Sequence, residues 1–193
     1  YEQAGILIAR PAGGTSCRLA ISAKGGTNAE NHNHNDVGSY AVALGSETMV
    51  GDQGGPNSYP GDYFNGDAPQ KYKIKGSFGH PVPVVDGRTQ SSGGKAKGVV
   101  LQKEFTNEKD VFSIDYTSAY STPNLDKLIR TFVYDRQGKG SFTVGDEFTA
   151  KTPIRFETAI TTRADWKILD DTHLLLATDS EQMIVAIEAS GKV

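Results

Sequence analysis

The chain has one cysteine, Cys17, so no disulfide can form within it. Cys17 stands in an apolar alternation and reads as core filler. No hydrophobic run is long enough to cross a bilayer as a helix, and no secretory leader is visible, so membrane insertion is not expected. No block of like charge exceeds a few residues, and the net charge is −3. That leaves no basic stripe for a nucleic-acid backbone, although a few local basic residues could still meet an acidic polysaccharide. The single tryptophan, Trp166, lies in a strand-like stretch and is expected in the core, with a platform for a sugar ring as the alternative. The first residues are Tyr1-Glu2-Gln3, with no initiating Met. The chain therefore reads as a fragment or processed piece of a longer protein.

What is present is a rhythm of short apolar stretches cut by turns, with 22 glycines in 193 residues. This favours an all-β fold, an antiparallel multi-stranded β-sandwich of layered sheets with little helix, as one domain over residues 1–193. Strands are expected at 5–9, 17–23, 37–44 and 48–50. A regular series follows at 98–104, 111–116, 128–135, 141–147, 154–161, 166–169, 173–178 and 183–188. Residues 72–75 read as a further strand, and 81–87 as an edge-type strand ending in a tight turn. Residues 90–98 are small and polar and expected to be mobile. The only helix candidate is 122–127. Residues 57–71 form a long aperiodic loop holding Tyr59, Tyr63 and Phe64, and such loops are often functional.

One segment stands apart. Two of the four histidines fall in Asn31-His32-Asn33-His34-Asn35-Asp36. On a strand, positions two apart face the same side, so both rings could reach one site. Asp52 follows the apolar Met49-Val50, and His80 precedes a Pro-Val-Pro-Val stretch. Two histidines and a carboxylate make a good divalent-metal set, with zinc the usual occupant. The spacing by itself leaves equal room for a hydrogen-bonded Asn/His turn.

The ordered series Asn31-His32-Asn33-His34-Asn35-Asp36-Val37-Gly38-Ser39-Tyr40, Val50-Gly51-Asp52-Gln53-Gly54 and Gly79-His80-Pro81-Val82-Pro83-Val84-Val85-Asp86-Gly87-Arg88-Thr89-Gln90 resembles the heparinase II/III-like family. These are bacterial polysaccharide lyases that include alginate and oligoalginate lyases. The second half of the chain adds the weaker motif Leu128-Ile129-Arg130-Thr131-Phe132. In that family an N-terminal (α/α) toroid precedes antiparallel sheets, with a substrate cleft between them. The resemblance covers the sheet part only, so the toroid, with its main catalytic tyrosine, is expected to be missing here.

The resemblance implies that His34, Asp52 and His80 are zinc ligands, one ion per chain. The ion reads as structural, though a chemical role for a metal-bound water stays open. It implies that His32 faces the reacting sugar, and Tyr59 and Tyr63 fall where the family has an aromatic loop near substrate. Asn31, Arg88 and Gln90 are candidates for touching an acidic sugar, although a self-bonded loop and a solvated turn explain them as well. Arg130 reads as an ion-pair residue and His173 as structural. The implied reaction is β-elimination at a uronic acid. The implied partners are an acidic polysaccharide or oligosaccharide and the toroid, and a homodimer stays open. The implied location is periplasmic or secreted, in a bacterium. Two rival readings stay beside it: a non-catalytic carbohydrate-binding or structural β-sandwich, and a glycoside hydrolase on the same scaffold.

Overall fold

A computed structural model describes residues 1, 4–52 and 54–190. Gln53 of the 50–54 stretch, and Glu2 and Gln3 of the opening tripeptide, lie outside them. The strands are β1 (Ile6–Ala9), β2 (Leu19–Lys24), β3 (Thr27–Asn28), β4 (Tyr40–Leu44), β5 (Glu47–Val50), β6 (Val84–Val85), β7 (Gly93–Lys97) and β8 (Val99–Phe105). They continue as β9 (Lys109–Asp115), β10 (Leu125–Asp135), β11 (Ser141–Ala150), β12 (Phe156–Glu157), β13 (Asp165–Asp170), β14 (His173–Ala177) and β15 (Gln182–Ala186). All pairings among them are antiparallel. The larger sheets run β1-β2-β4-β5, β11-β10-β9-β8 and β13-β14-β15, with small ribbons β12-β6 and β3-β7. The all-β, little-helix expectation holds.

The alternation of β2 explains how the sheets stack. Leu19, Ile21 and Ala23 are buried on one face. Ala23 joins Ile114 of β9 and Leu128 and Phe132 of β10 in one cluster. Leu19 and Ile21 join Met49 of β5, Tyr134 of β10 and Leu176 of β14 in a second. One sheet face is thus covered by two others, each fully buried apolar side chain contributing about 1.5–3 kcal/mol. Cys17 is buried in the second cluster. Arg130 is buried in β10 and paired with Asp146 of β11, in agreement with its reading as an ion-pair residue.

Several expectations need correction. Residues 122–127 are not helical: Leu125 starts β10, and a register shift between Leu125 and Lys127 lets both Leu125 and Leu128 face the core. The bulge supplies the three-residue apolar spacing that resembles a helix. The helix is instead α1 (Ala68–Lys71), a single turn in the long loop. Residues 72–75 form no strand. The chain makes two 3-10 turns there, Lys73–Lys75 and Ser77–Gly79. The 90–98 segment carries β7, which pairs with β3, and it buries Gln90 and Ala96. Only Val84–Val85 of 81–87 is strand. Its turn is as expected, with Asp86 and Gly87 at positive φ (52° and 72°), the backbone twist that hairpins favour. Trp166 is 63% exposed, not core. It lies on β13, the edge of its sheet, where its neighbour Leu176 covers one side only.

Candidate metal centre

Three segments deliver the proposed ligands. Asp52 follows β5, whose Met49 and Val50 are anchored in the core. Gly51 is fixed there by reciprocal bonds, its N–H donating to the Thr161 carbonyl (3.0 Å) and its carbonyl accepting from Thr161 Oγ1 (2.8 Å). His80 closes the Ser77–Gly79 turn and is buried. His34 lies in the loop between β3 and β4, which is held from below. The Asn35 N–H donates to the Lys75 carbonyl (2.8 Å), and Asn35 Nδ2 donates to the Gln90 carbonyl (3.0 Å) and Ser92 Oγ (3.1 Å).

These anchors bring His34 Nδ1 to 3.0 Å from His80 Nε2. Asp52 Oδ2 lies 3.9 Å from His34 Nδ1 and 3.6 Å from His80 Nδ1. One ligand atom from each residue can be chosen with all three within 4.8 Å of one another. Ligands on a tetrahedral zinc at 2.0–2.1 Å lie about 3.3 Å apart. The short approaches to His34 and Asp52 use different nitrogens of the His80 ring, so with one donor atom per residue at least two of the three spacings exceed that value and all stay within 4.8 Å. The residue types suit a divalent ion, and the three side chains would draw together to hold one. Burial, reinforced by the neighbouring His80 ring, pushes the His34 pKa down, which favours the neutral imidazole that ligates metal.

His32 and His34 do not share a face of a strand. Their segment is a loop, and His32 adopts a left-handed backbone (φ 57°). Asn28 Oδ1 accepts from the Asp36 N–H (3.1 Å), curling the segment so that His34 turns inward and His32 outward. The exposed His32 ring lies on Phe64, with centroids 4.3 Å apart. Phe64 contacts Tyr59 (5.2 Å) and Tyr63 (5.3 Å) in turn. Tyr59 is exposed, whereas Tyr63 is buried and burial pushes its pKa up. The loop is stapled at its base, where Lys71 and Tyr72 both donate to Asp62 and hold that carboxyl below its ordinary pKa.

Lys75 is a buried ammonium that the sequence did not mark as special. It donates to the Tyr63 carbonyl (2.7 Å) and lies over the rings of Tyr63 (4.7 Å) and Phe64 (5.3 Å), a cation–π arrangement. Burial lowers its pKa. Through its carbonyl it braces the His34 loop, and through its ammonium the aromatic loop. A lysine flanked by Ile74 and Gly76 looks like any surface lysine in sequence, so no local signal could have found it.

The remaining candidates separate. Asn31 and Arg88 are exposed. Gln90 lies inside the fold, 2% exposed. Its Oε1 accepts from Asn28 Nδ2 (2.9 Å) and the Val37 N–H (3.0 Å), and its Nε2 donates to the Val37 carbonyl (2.7 Å). Gln90→Ala is expected to cost about 2 kcal/mol in denaturant unfolding, because buried Val37 backbone groups lose their partners. A loss below about 0.5 kcal/mol would contradict this bracing, since surface substitutions alone cause shifts of that size. A cavity of 220 Å³ adjoins the ligands, lined by Lys24, Asp36, Asp52 and His80 among others. It is small beside the roughly 300–1,000 Å³ of ordinary ligand pockets.

No family model matches the chain, and no curated protein does. Among solved structures it is similar to a mutant form of the heparan sulfate lyase HepC from Pedobacter heparinus, with a TM-score of 0.66 and 16% sequence identity. The match covers 93% of this chain and 28% of that one, so the chain spans little more than a quarter of the lyase's length. The chain thus shares its fold with part of a heparan sulfate lyase, as the resemblance to the heparinase II/III-like sheet region implied.

Proposed function

We propose that this chain forms one wall of the active-site cleft of a bacterial polysaccharide lyase, exported to the periplasm or beyond, that cleaves uronic-acid-containing polysaccharide by β-elimination. The observation that carries this reading is the convergence of His34, Asp52 and His80 two residues from an exposed His32 whose ring packs at a tilt on Phe64. Support comes from the fold shared with part of a lyase. The small cavity beside the ligands suits half of a cleft, the other half being a helical toroid of the longer protein.

In β-elimination a base removes the C5 proton beside the sugar carboxylate, the C4–O bond breaks as an acid protonates the departing oxygen, and a C4–C5 double bond forms. The C5–H bond is weakly acidic, so charge growing on the carboxylate needs a positioned donor. His32, fixed against Phe64, supplies that donor or accepts the proton. Tyr59 offers its exposed ring to the sugar. Tyr63 is buried and its hydroxyl is shielded from solvent, so it packs the aromatic loop from within, and contact with the sugar falls to Tyr59. Asn31 and Arg88 are exposed for polar contact, and Gln90 braces the loop from within. A divalent ion, zinc by the donor set, would add a fixed positive charge to the loop that bears His32. Its three protein ligands are His34, Asp52 and His80.

The test is to incubate the full-length protein with heparan sulfate and with alginate and follow the ultraviolet absorbance of unsaturated uronate. We expect that chromophore to appear with one of these classes, and no turnover from residues 1–193 alone. Cleavage without the chromophore would indicate hydrolysis and defeat the lyase reading. Strong lyase activity from this chain by itself would defeat the shared-cleft reading.

A further inference from the structure

One guanidinium connects the two histidine-bearing segments. Arg130 Nη1 donates to the Gly38 carbonyl (2.8 Å) and to the Pro81 carbonyl (2.7 Å). Gly38 lies four residues after His34, and Pro81 directly follows His80. The other side of the fork is held by Asp146, which accepts from Arg130 Nε at Oδ1 (2.8 Å) and from Nη2 at Oδ2 (2.6 Å). Tyr116 donates to the same carboxylate (2.7 Å). The guanidinium is flanked by the rings of Tyr40 (5.8 Å) and Tyr116 (5.6 Å). It is 1% exposed.

A planar, always-charged fork in this position can do what no lysine can, namely hold two carbonyls and a carboxylate at fixed mutual angles. β10 is an inner strand of its four-stranded sheet and pairs along nearly its whole length with the long edge strand β11, so the fork stands on rigid ground. The His34 segment adapts to it closely. Gly38 has φ 86°, and a Cβ there would meet the Tyr116 ring at 3.3 Å and Arg130 Cδ at 3.7 Å.

We propose that Arg130, anchored by Asp146, is a positioning residue for the metal centre. It sets the separation of His34 and His80 by clamping the carbonyls of Gly38 and Pro81, without touching the ion. This inference rests on the metal reading above. It goes beyond that reading by making metal affinity depend on a residue in a distant strand.

The experiment measures zinc affinity by competition with a chromophoric chelator, at a temperature where every variant is folded by circular dichroism. Arg130→Lys keeps the charge and loses the fork. It is expected to weaken zinc binding about 10- to 100-fold, the range typical of supports beyond the ligands. Tyr134→Phe, which removes the hydroxyl bond to the Leu19 carbonyl farther along β10, controls for general loss of stability and should bind as wild type. Should Arg130→Lys fail to fold, Asp146→Asn is read in its place, because it leaves the arginine present and loosens its anchor. Wild-type affinity in the fork variant overturns the inference alone, as does an equal loss in Tyr134→Phe. A wild-type protein that takes up no metal overturns the metal reading first and this inference with it.

Discussion

His80→Ala is expected to abolish metal uptake. Wild-type protein loaded with zinc and desalted should carry about one ion per chain, and the variant less than about a tenth of that, because two remaining ligands cannot close a three-ligand site. The effect should be large because His80 is the buried member of the set, 1% exposed, with its Nε2 3.0 Å from His34 Nδ1. A metal bound only to the folded chain at 100 times its Kd adds about 2.7 kcal/mol. For a domain of this size that corresponds to roughly 5–10 °C in Tm. Zinc should therefore raise the wild-type Tm by several degrees and leave that of the variant unmoved. Truncating a buried ring also lowers stability by itself, so the comparison is made within each protein, with and without zinc. Equal zinc content in the two proteins would remove His80 from the site.

Gly79→Ala is expected to be nearly as damaging without altering any ligand. A Cβ at Gly79 would lie 2.4 Å from the Ile74 carbonyl oxygen, 2.7 Å from Ile74 Cα and 2.8 Å from its carbonyl carbon. These are backbone atoms of the adjoining Lys73–Lys75 turn, so no side-chain rotation relieves the overlap. Either the turn opens or His80 shifts. We expect a loss of about 3 kcal/mol in chemical unfolding, at the upper end of ordinary overpacking, together with weakened zinc binding. Wild-type stability and affinity would mean that the close approach of the two turns is not required.

These two substitutions mark how far the residue pattern carries. The histidine cluster, Asp52 and His80 were legible because the chemistry of metal ligation needs particular side chains, and the chain has only four histidines. The ordered motifs sharpened an even balance into a defined set. Most strands of the second half were legible as local stretches of strand-forming residues, although only Phe156–Glu157 of 154–161 is strand, and β8 and β13 are exposed along their whole length. The 122–127 segment misled because a bulge and a helical turn leave the same apolar spacing. The 72–75 segment misled because its 3-10 turn is packed closely against Gly79, an approach that no periodicity records. Trp166 misled because its exposure follows from standing on the edge of its sheet, a property of strand order.

By itself, the sequence determined the all-β class, most of the strands and the chemical identity of the candidate ligands, since side-chain type and short-range period are local quantities. Tertiary structure decided which groups meet. It turned His32 outward onto Phe64 and His34 inward onto His80, and drew Lys75 under the aromatic loop. It withdrew Gln90 from the surface and placed Arg130 between Gly38 and Pro81. Most of these depend on contacts between residues separated by 30 positions or more along the chain; Lys75 meets Tyr63 across 12. Long-range packing and hydrogen bonding set these contacts, and neither leaves a trace in local composition.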